Sequence, residues 1–266
     1  MTLHAGGEQL AHRLLHRARM VAFYALTGLL TLFLTFEVFA HLLLPTPVLT
    51  QWAAPHHVHA LAHAVLTAIL VPLVGMGLHP RMRRIVGIQG LLLVVGLGLL
   101  VSVIAWQGFH PDLDFPTFNF TLYGIVGLML VGLHPDRGQL FKIGKPDALL
   151  AVMALLAALP LIPYAVVEVA KQQSGADPVH GGAGHFALMA SLAVVLLALA
   201  GLAALRPQGW RLLVWSAGLA VGALGLGSIA FPSEASSFGL LGAFAAIAWG
   251  AAFIWIGSRK AVEHAH

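Results

Sequence analysis

Residues 85–107, IVGIQGLLLVVGLGLLVSVIAWQ, contain no Lys, Arg, Asp or Glu. A bilayer core is crossed by about 20 such residues wound as an α-helix. In the absence of water, only a helix or a closed barrel satisfies every backbone N–H and C=O. Working outward, runs of the same kind occupy 20–44 and 58–78 before this stretch. After it come 116–133, 147–170, 185–205, 211–231 and 237–257. Helix-breaking punctuation separates them: Leu44-Pro45, Gly77-Leu78-His79-Pro80, Phe115-Pro116, Leu205-Arg206-Pro207 and Phe231-Pro232. The pattern predicts an all-α integral membrane protein, a bundle of eight transmembrane helices filling 20–257. A polar segment, 1–19, precedes it and a short tail, 258–266, follows.

Composition agrees. Of the 266 residues, 59% are hydrophobic and 9% charged, and the mean hydropathy is +0.89. A soluble domain carries about 25% charged residues. The absence of cysteine excludes disulfides and thiolate sites, so any metal must be held by imidazole, carboxylate, methionine or backbone. Residues 1–19, MTLHAGGEQLAHRLLHRAR, are polar and lack a secretory pattern. The helical spacing of His12, Arg13, His16 and Arg17 suits a short interfacial helix on anionic lipid. A frayed basic tail that only sets topology is the preferred reading.

The charges settle a predicted orientation. Thirteen of the fourteen Lys and Arg fall on one side of the eight-span map: Arg13, Arg17, Arg19, Arg81, Arg83, Arg84, Arg137, Lys142, Lys145, Arg206, Arg211, Arg259 and Lys260. Lys171 alone is on the other. By the positive-inside rule both termini are cytoplasmic, which suits a bacterial inner membrane. The sequence pI of about 9.9 is then a topology signal, and no nucleic-acid partner is needed to explain it. Spans 2 and 4 end in Gly-Leu-His-Pro (77–80 and 132–135), and span 6 ends in Leu-Arg-Pro (205–207). Spans 1 and 5 carry Glu37 and Glu168; spans 2 and 6 begin near His59 and His185. Two parallel four-helix halves, 20–134 and 147–257, would account for this.

Eight of the fifteen His and six of the ten acidic residues map to the predicted outer face. Three pieces stand out. Glu37 and His41 lie i,i+4 on one face of span 1. His56, His57, His59 and His63 open span 2, with His56, His59 and His63 on one face. Glu168 near the end of span 5 is followed by His180 and by His185 at the start of span 6; Pro160 and Pro163 are expected to distort the helix before Glu168. Imidazole is the commonest metal ligand, and ionisable groups inside a span usually mark a site or pathway. Glu37, His41, His59 and His63 are therefore expected to converge on one site. The metal-ligand candidates are Glu37, His41, His56, His59, His63, His180 and His185. Such N/O ligands suit Zn, Fe or Cu better than Mg or Ca. Glu37 or Glu168 is the candidate general base, and His59 with His185 could instead be axial haem ligands. His110, Asp112 and Asp114 read as a polar turn, His79 and His134 as structural helix ends, and His264 and His266 as tail.

Phosphate loops, HExxH and Ser-centred elbows are absent from the sequence. The leading expectation is a membrane metalloprotein with an outward-facing His/Glu site, either an enzyme or a redox protein. The alternatives are a metal-cation or proton-coupled transporter, and a cofactor-binding subunit of a larger membrane complex.

Overall fold

The computed structural model describes residues 3–43, 57–78, 85–106, 115–135, 137–140 and 142–259. Among these the only regular structure is helical. The helices are α1 (Leu3–Leu43), α2 (His57–Gly75), α3 (Ile85–Ala105), α4 (Phe115–Leu133), α5 (Ala148–Ser174), a one-turn α6 (Pro178–Gly182), α7 (His185–Ala204), α8 (Arg211–Ala230) and α9 (Gly239–Arg259). Seven of them are long and apolar enough to cross a membrane. The chain is a multi-pass helical membrane protein. The remaining long helix, α4, has 19 residues, with a shorter apolar run over Phe120–Leu133. Large apolar side chains such as Leu32, Leu155, Leu159 and Leu241 are exposed along the bundle, as a lipid-facing surface requires.

The N-terminal tail reading is corrected. Residues 3–19 continue the first span as one helix, Leu3–Leu43. No proline interrupts this stretch, and good helix formers such as Leu, Ala and Arg dominate it after Gly7. Its Arg19 reaches the end of α4, where the guanidinium donates to the Leu133 carbonyl at 3.1 Å and to the His134 carbonyl. These are end-of-helix carbonyls left over by the helical ladder, and a cation there also complements the helix dipole.

Packing centres on α7, 78% of whose span is buried within the protein. It touches α2, α3, α5 and α8. The contacts come in matching sets. The α1–α2 contact parallels α5–α7, α3–α4 parallels α8–α9, and α2–α3 parallels α7–α8. Likewise α1–α4 parallels α5–α9, and α2–α8 parallels α7–α3. The offset between His59 and His185 also separates two buried serines, Ser102 and Ser228.

α5 starts sharply because Asp147 caps it, accepting from the N–H groups of Leu149 and Leu150 at 3.0 Å each. Arg206 lies 3.9 Å from the same carboxylate. Asp147→Ala is expected to destabilise the protein by about 1 kcal/mol, the usual worth of a cap, while Asp147→Asn keeps most of it. Thermal unfolding of the purified variants in detergent measures the difference.

Candidate functional site

At the end of the bundle that carries His59, three imidazoles meet. His59 occupies the first turn of α2, His180 lies in α6, and His185 opens α7. Ring centroids are 4.7 Å apart for His59–His185, 5.2 Å for His59–His180 and 5.9 Å for His180–His185. Phe186 packs against both His59 and His180. His59 and His185 are buried. Two glycines make the placement possible. Gly175 ends α5 at φ 60, and Gly184 precedes α7 at φ 71. Both values lie in the left-handed region that favours glycine, and the connection between them carries α6.

A carboxylate holds one ring directly and a second is reached through a serine. Glu168, only 1% exposed, sits near the end of α5. The Ser236 hydroxyl donates to its Oε2 at 2.6 Å, and Lys171 Nζ donates to Oε1 at 2.6 Å. Ser236 Oγ in turn lies 3.1 Å from His59 Nε2, giving a continuous Lys171–Glu168–Ser236–His59 chain. The ion pair and hydroxyl offset what an isolated buried carboxylate would cost. Asp177 Oδ2 lies 2.6 Å from His180 Nδ1, and Oδ1 caps α6 by accepting from the N–H of Val179 and of His180. The His180 backbone N–H, followed by the His180 ring, holds the Asp177 carboxyl below its ordinary range. Gln172 ties the connection down: its amide donates to the Gly181 carbonyl at 2.7 Å and accepts from the Ala187 N–H at 3.3 Å.

The 231–238 loop closes the site. Tyr164 donates to the Ser236 carbonyl at 2.7 Å. Ser236 itself is buried with φ 65, a conformation uncommon for a non-glycine residue and typical of functional positions. Glu234 caps α2, its Oε2 accepting from the Val58 N–H at 3.0 Å and its Oε1 lying 2.5 Å from His57 Nδ1. A carboxylate is favoured there by the helix dipole.

The candidate residues take the following places. His59, His180, His185 and Glu168 come together. His63 lies one turn deeper, beside a small cavity lined by Thr67, Phe120, Tyr123 and Leu188. Glu37 is half-buried on α1, within electrostatic reach of that same Tyr123. The side chain of His41 lies outside the described residues, as do His56, His110, Asp112 and Asp114. Among the described residues, no three His, Asp or Glu side chains form a ready-made metal constellation. Sequence reasoning missed Ser236, Tyr164, Lys171 and Gln172. The available signal was the polar string Ser233-Glu234-Ala235-Ser236-Ser237 between two apolar spans.

No protein family, curated protein or solved structure matches the chain.

Proposed function

We propose that the chain is an eight-span membrane metalloprotein in which His59, His180 and His185 hold one transition-metal ion at the outward end of the bundle. The observation that carries this reading is the clustering of three imidazoles, one bonded to Asp177 and one linked through Ser236 to Glu168. With metal–nitrogen bonds of about 2.0–2.1 Å, three imidazoles arranged tetrahedrally around one ion place their ring centroids roughly 5 Å apart. The observed separations are 4.7–5.9 Å, close to that spacing. Asp177 on His180 and the Ser236–Glu168 pair on His59 match the hydrogen-bonded second nitrogen that metal-bound histidines usually show. An all-imidazole set with nearby carboxylates suits Zn, Cu or Fe.

The two axial-ligand candidates, His59 and His185, have near-parallel rings at 4.7 Å and 16°. That spacing is too close for two ligands on opposite sides of a haem iron, which favours a bare ion. A bound ion would supply Lewis acidity or a redox centre. Glu168, already engaged by Ser236 and Lys171, then serves to position His59; the general-base role proposed for Glu37 or Glu168 does not enter this reading. Away from the cluster, polar side chains such as Thr67, Ser102 and Ser191 are small hydroxyls, and Ser102 and Ser191 contact each other at 3.5 Å. This favours a closed site over a transport path.

Orientation follows from the charge count: with α4 as the eighth span, thirteen of fourteen Lys and Arg are cytoplasmic. The matching helix contacts support two parallel halves with His59 and His185 at equivalent places.

The test is elemental analysis by mass spectrometry on detergent-purified protein. Near-stoichiometric metal is expected in the wild type, with background levels in His59→Ala/His185→Ala and retention in His63→Ala. Metal-free wild type after purification with metal supplied, or equal loss from His63→Ala, contradicts the proposal.

A further inference from the structure

Between α5 and α9 the bundle leaves a cavity of about 360 Å³. Its floor is buried and apolar, formed by Ala157, Leu196, Val221 and Leu224. Its rim, Leu156, Pro160 and Ala245, is exposed on the flank of the helices. Both helices are among the membrane-spanning candidates, so the mouth faces lipid. The two ends of the cavity differ chemically. At the end nearer the histidines, Tyr164 and Phe238 pack edge to face at 5.2 Å, and Ser237 joins them in the lining. At the other end Trp249 donates its indole N–H to the Met153 carbonyl at 2.9 Å and stacks on Phe253. Met153 to Tyr164 spans about 16 Å of α5 at 1.5 Å per residue.

We propose that this cavity is a lateral binding site for a neutral, single-tailed lipid. The hydrocarbon chain lies between α5 and α9; a head-group hydroxyl donates to the Tyr164 oxygen, whose own proton goes to the Ser236 carbonyl, and a head-group oxygen accepts from the Ser237 hydroxyl. The volume falls at the small end of the roughly 300–1,000 Å³ range of ligand cavities, which suits one chain; a two-tailed phospholipid would leave its second tail outside the mouth. Neutrality follows from the lining. No Lys or Arg borders the cavity, and the nearest cation on the same helix, Lys171, is already paired with Glu168, so an anionic head finds no counter-charge in the lining. The polar end is also the site end: Tyr164 holds the carbonyl of Ser236, whose hydroxyl links Glu168 to His59. The cavity thereby names the class of molecule that the bilayer would deliver to the proposed metal site. It rests on the metal reading for that role, but binding in the cavity needs no metal.

Trp249 is a built-in reporter. Full-length protein in phosphatidylcholine nanodiscs is titrated with a tail-brominated monoacylglycerol while tryptophan fluorescence is followed. Saturable quenching is expected, absent in Trp249→Phe. In Ala245→Phe, which narrows the mouth from its exposed rim, it should weaken by about tenfold, the scale of a modest overpacking penalty. Leu156→Phe provides a second rim variant. A tail-brominated fatty acid in its ionised form should bind more weakly. Quenching that rises linearly and ignores both rim variants, or that a tail-brominated phosphatidylcholine reproduces, would identify ordinary boundary lipid and overturn the proposal. So would equal or tighter binding of the fatty acid. Saturable quenching should persist in His59→Ala/His185→Ala, so loss of metal and loss of lipid binding are separate results.

Discussion

Gly250→Leu is expected to destabilise the protein by about 4 kcal/mol or more, enough to leave little folded material. Single substitutions reach this size when they force overpacking that the surroundings cannot absorb. α8 and α9 approach through facing glycines. A Cβ on Gly250 would overlap the Gly218 carbonyl oxygen, and a Cβ on Gly218 would come within 2.9 Å of the Gly250 carbonyl oxygen. Further along the same contact, a Cβ on Gly225 would lie 2.8 Å from the Ala243 carbonyl oxygen. Backbone oxygens cannot rotate aside as side-chain tips can, so the helices must part. Small residues at such contacts are what permits membrane helices to pack, since burial from water adds nothing between two lipid-immersed surfaces. Gly96→Ala is the control. Nothing lies within 4 Å of a Cβ there, and the greater helix propensity of alanine should make the change neutral or mildly stabilising. Thermal unfolding in detergent, followed by monodisperse elution, separates the two outcomes.

Glu168→Leu is the second large effect. The carboxylate is buried and holds two donors, Ser236 and Lys171. Lys171 is 41% exposed, so its charge can turn to water or head groups, and loss of that pair costs little. Ser236 is buried, and its hydroxyl loses its acceptor. The expected destabilisation is about 2 kcal/mol, the usual cost of orphaning a buried polar group. The more telling consequence is at His59, whose orientation through Ser236 is lost. A 10–100-fold drop in metal affinity is expected, as is usual when such outer partners are removed. Glu168→Gln retains an acceptor oxygen for Ser236 and should lose less on both counts. Metal titration by calorimetry and thermal unfolding on the same samples give both numbers. Unchanged affinity in a folded Glu168→Leu protein would detach Glu168 from the site.

The helices were legible because hydrophobic run length is a coarse and strongly determined signal. The observed helices Ile85–Ala105, His185–Ala204 and Arg211–Ala230 begin and end within about two residues of the expected spans, the usual precision of helix ends. The start of α1 was not legible in the same way. A polar, basic segment reads as a tail unless its helix propensity is weighed along with its charge. The site was half legible. His59, His180, His185 and Glu168 stood out as costly polar groups near apolar runs. Their grouping was only partly legible, because His59 was expected to share a site with Glu37, His41 and His63 as well as to pair with His185, whereas its ring meets His180 and His185 across the bundle. Ser236 carries no charge and sits in a loop, where a serine is unremarkable. Its role depends on a left-handed backbone and a fold-level contact with α5 that no spacing rule encodes.

In the proposed site His59, His180 and His185 surround one ion. X-ray absorption at the edge of the metal that elemental analysis identifies tests it most directly, on wild-type protein and on His185→Ala. Imidazole scattering from about three nitrogens at roughly 2.0–2.1 Å is expected in the wild type, reduced or lost in the variant. A bound metal without imidazole ligation, or an identical spectrum in both proteins, would contradict it.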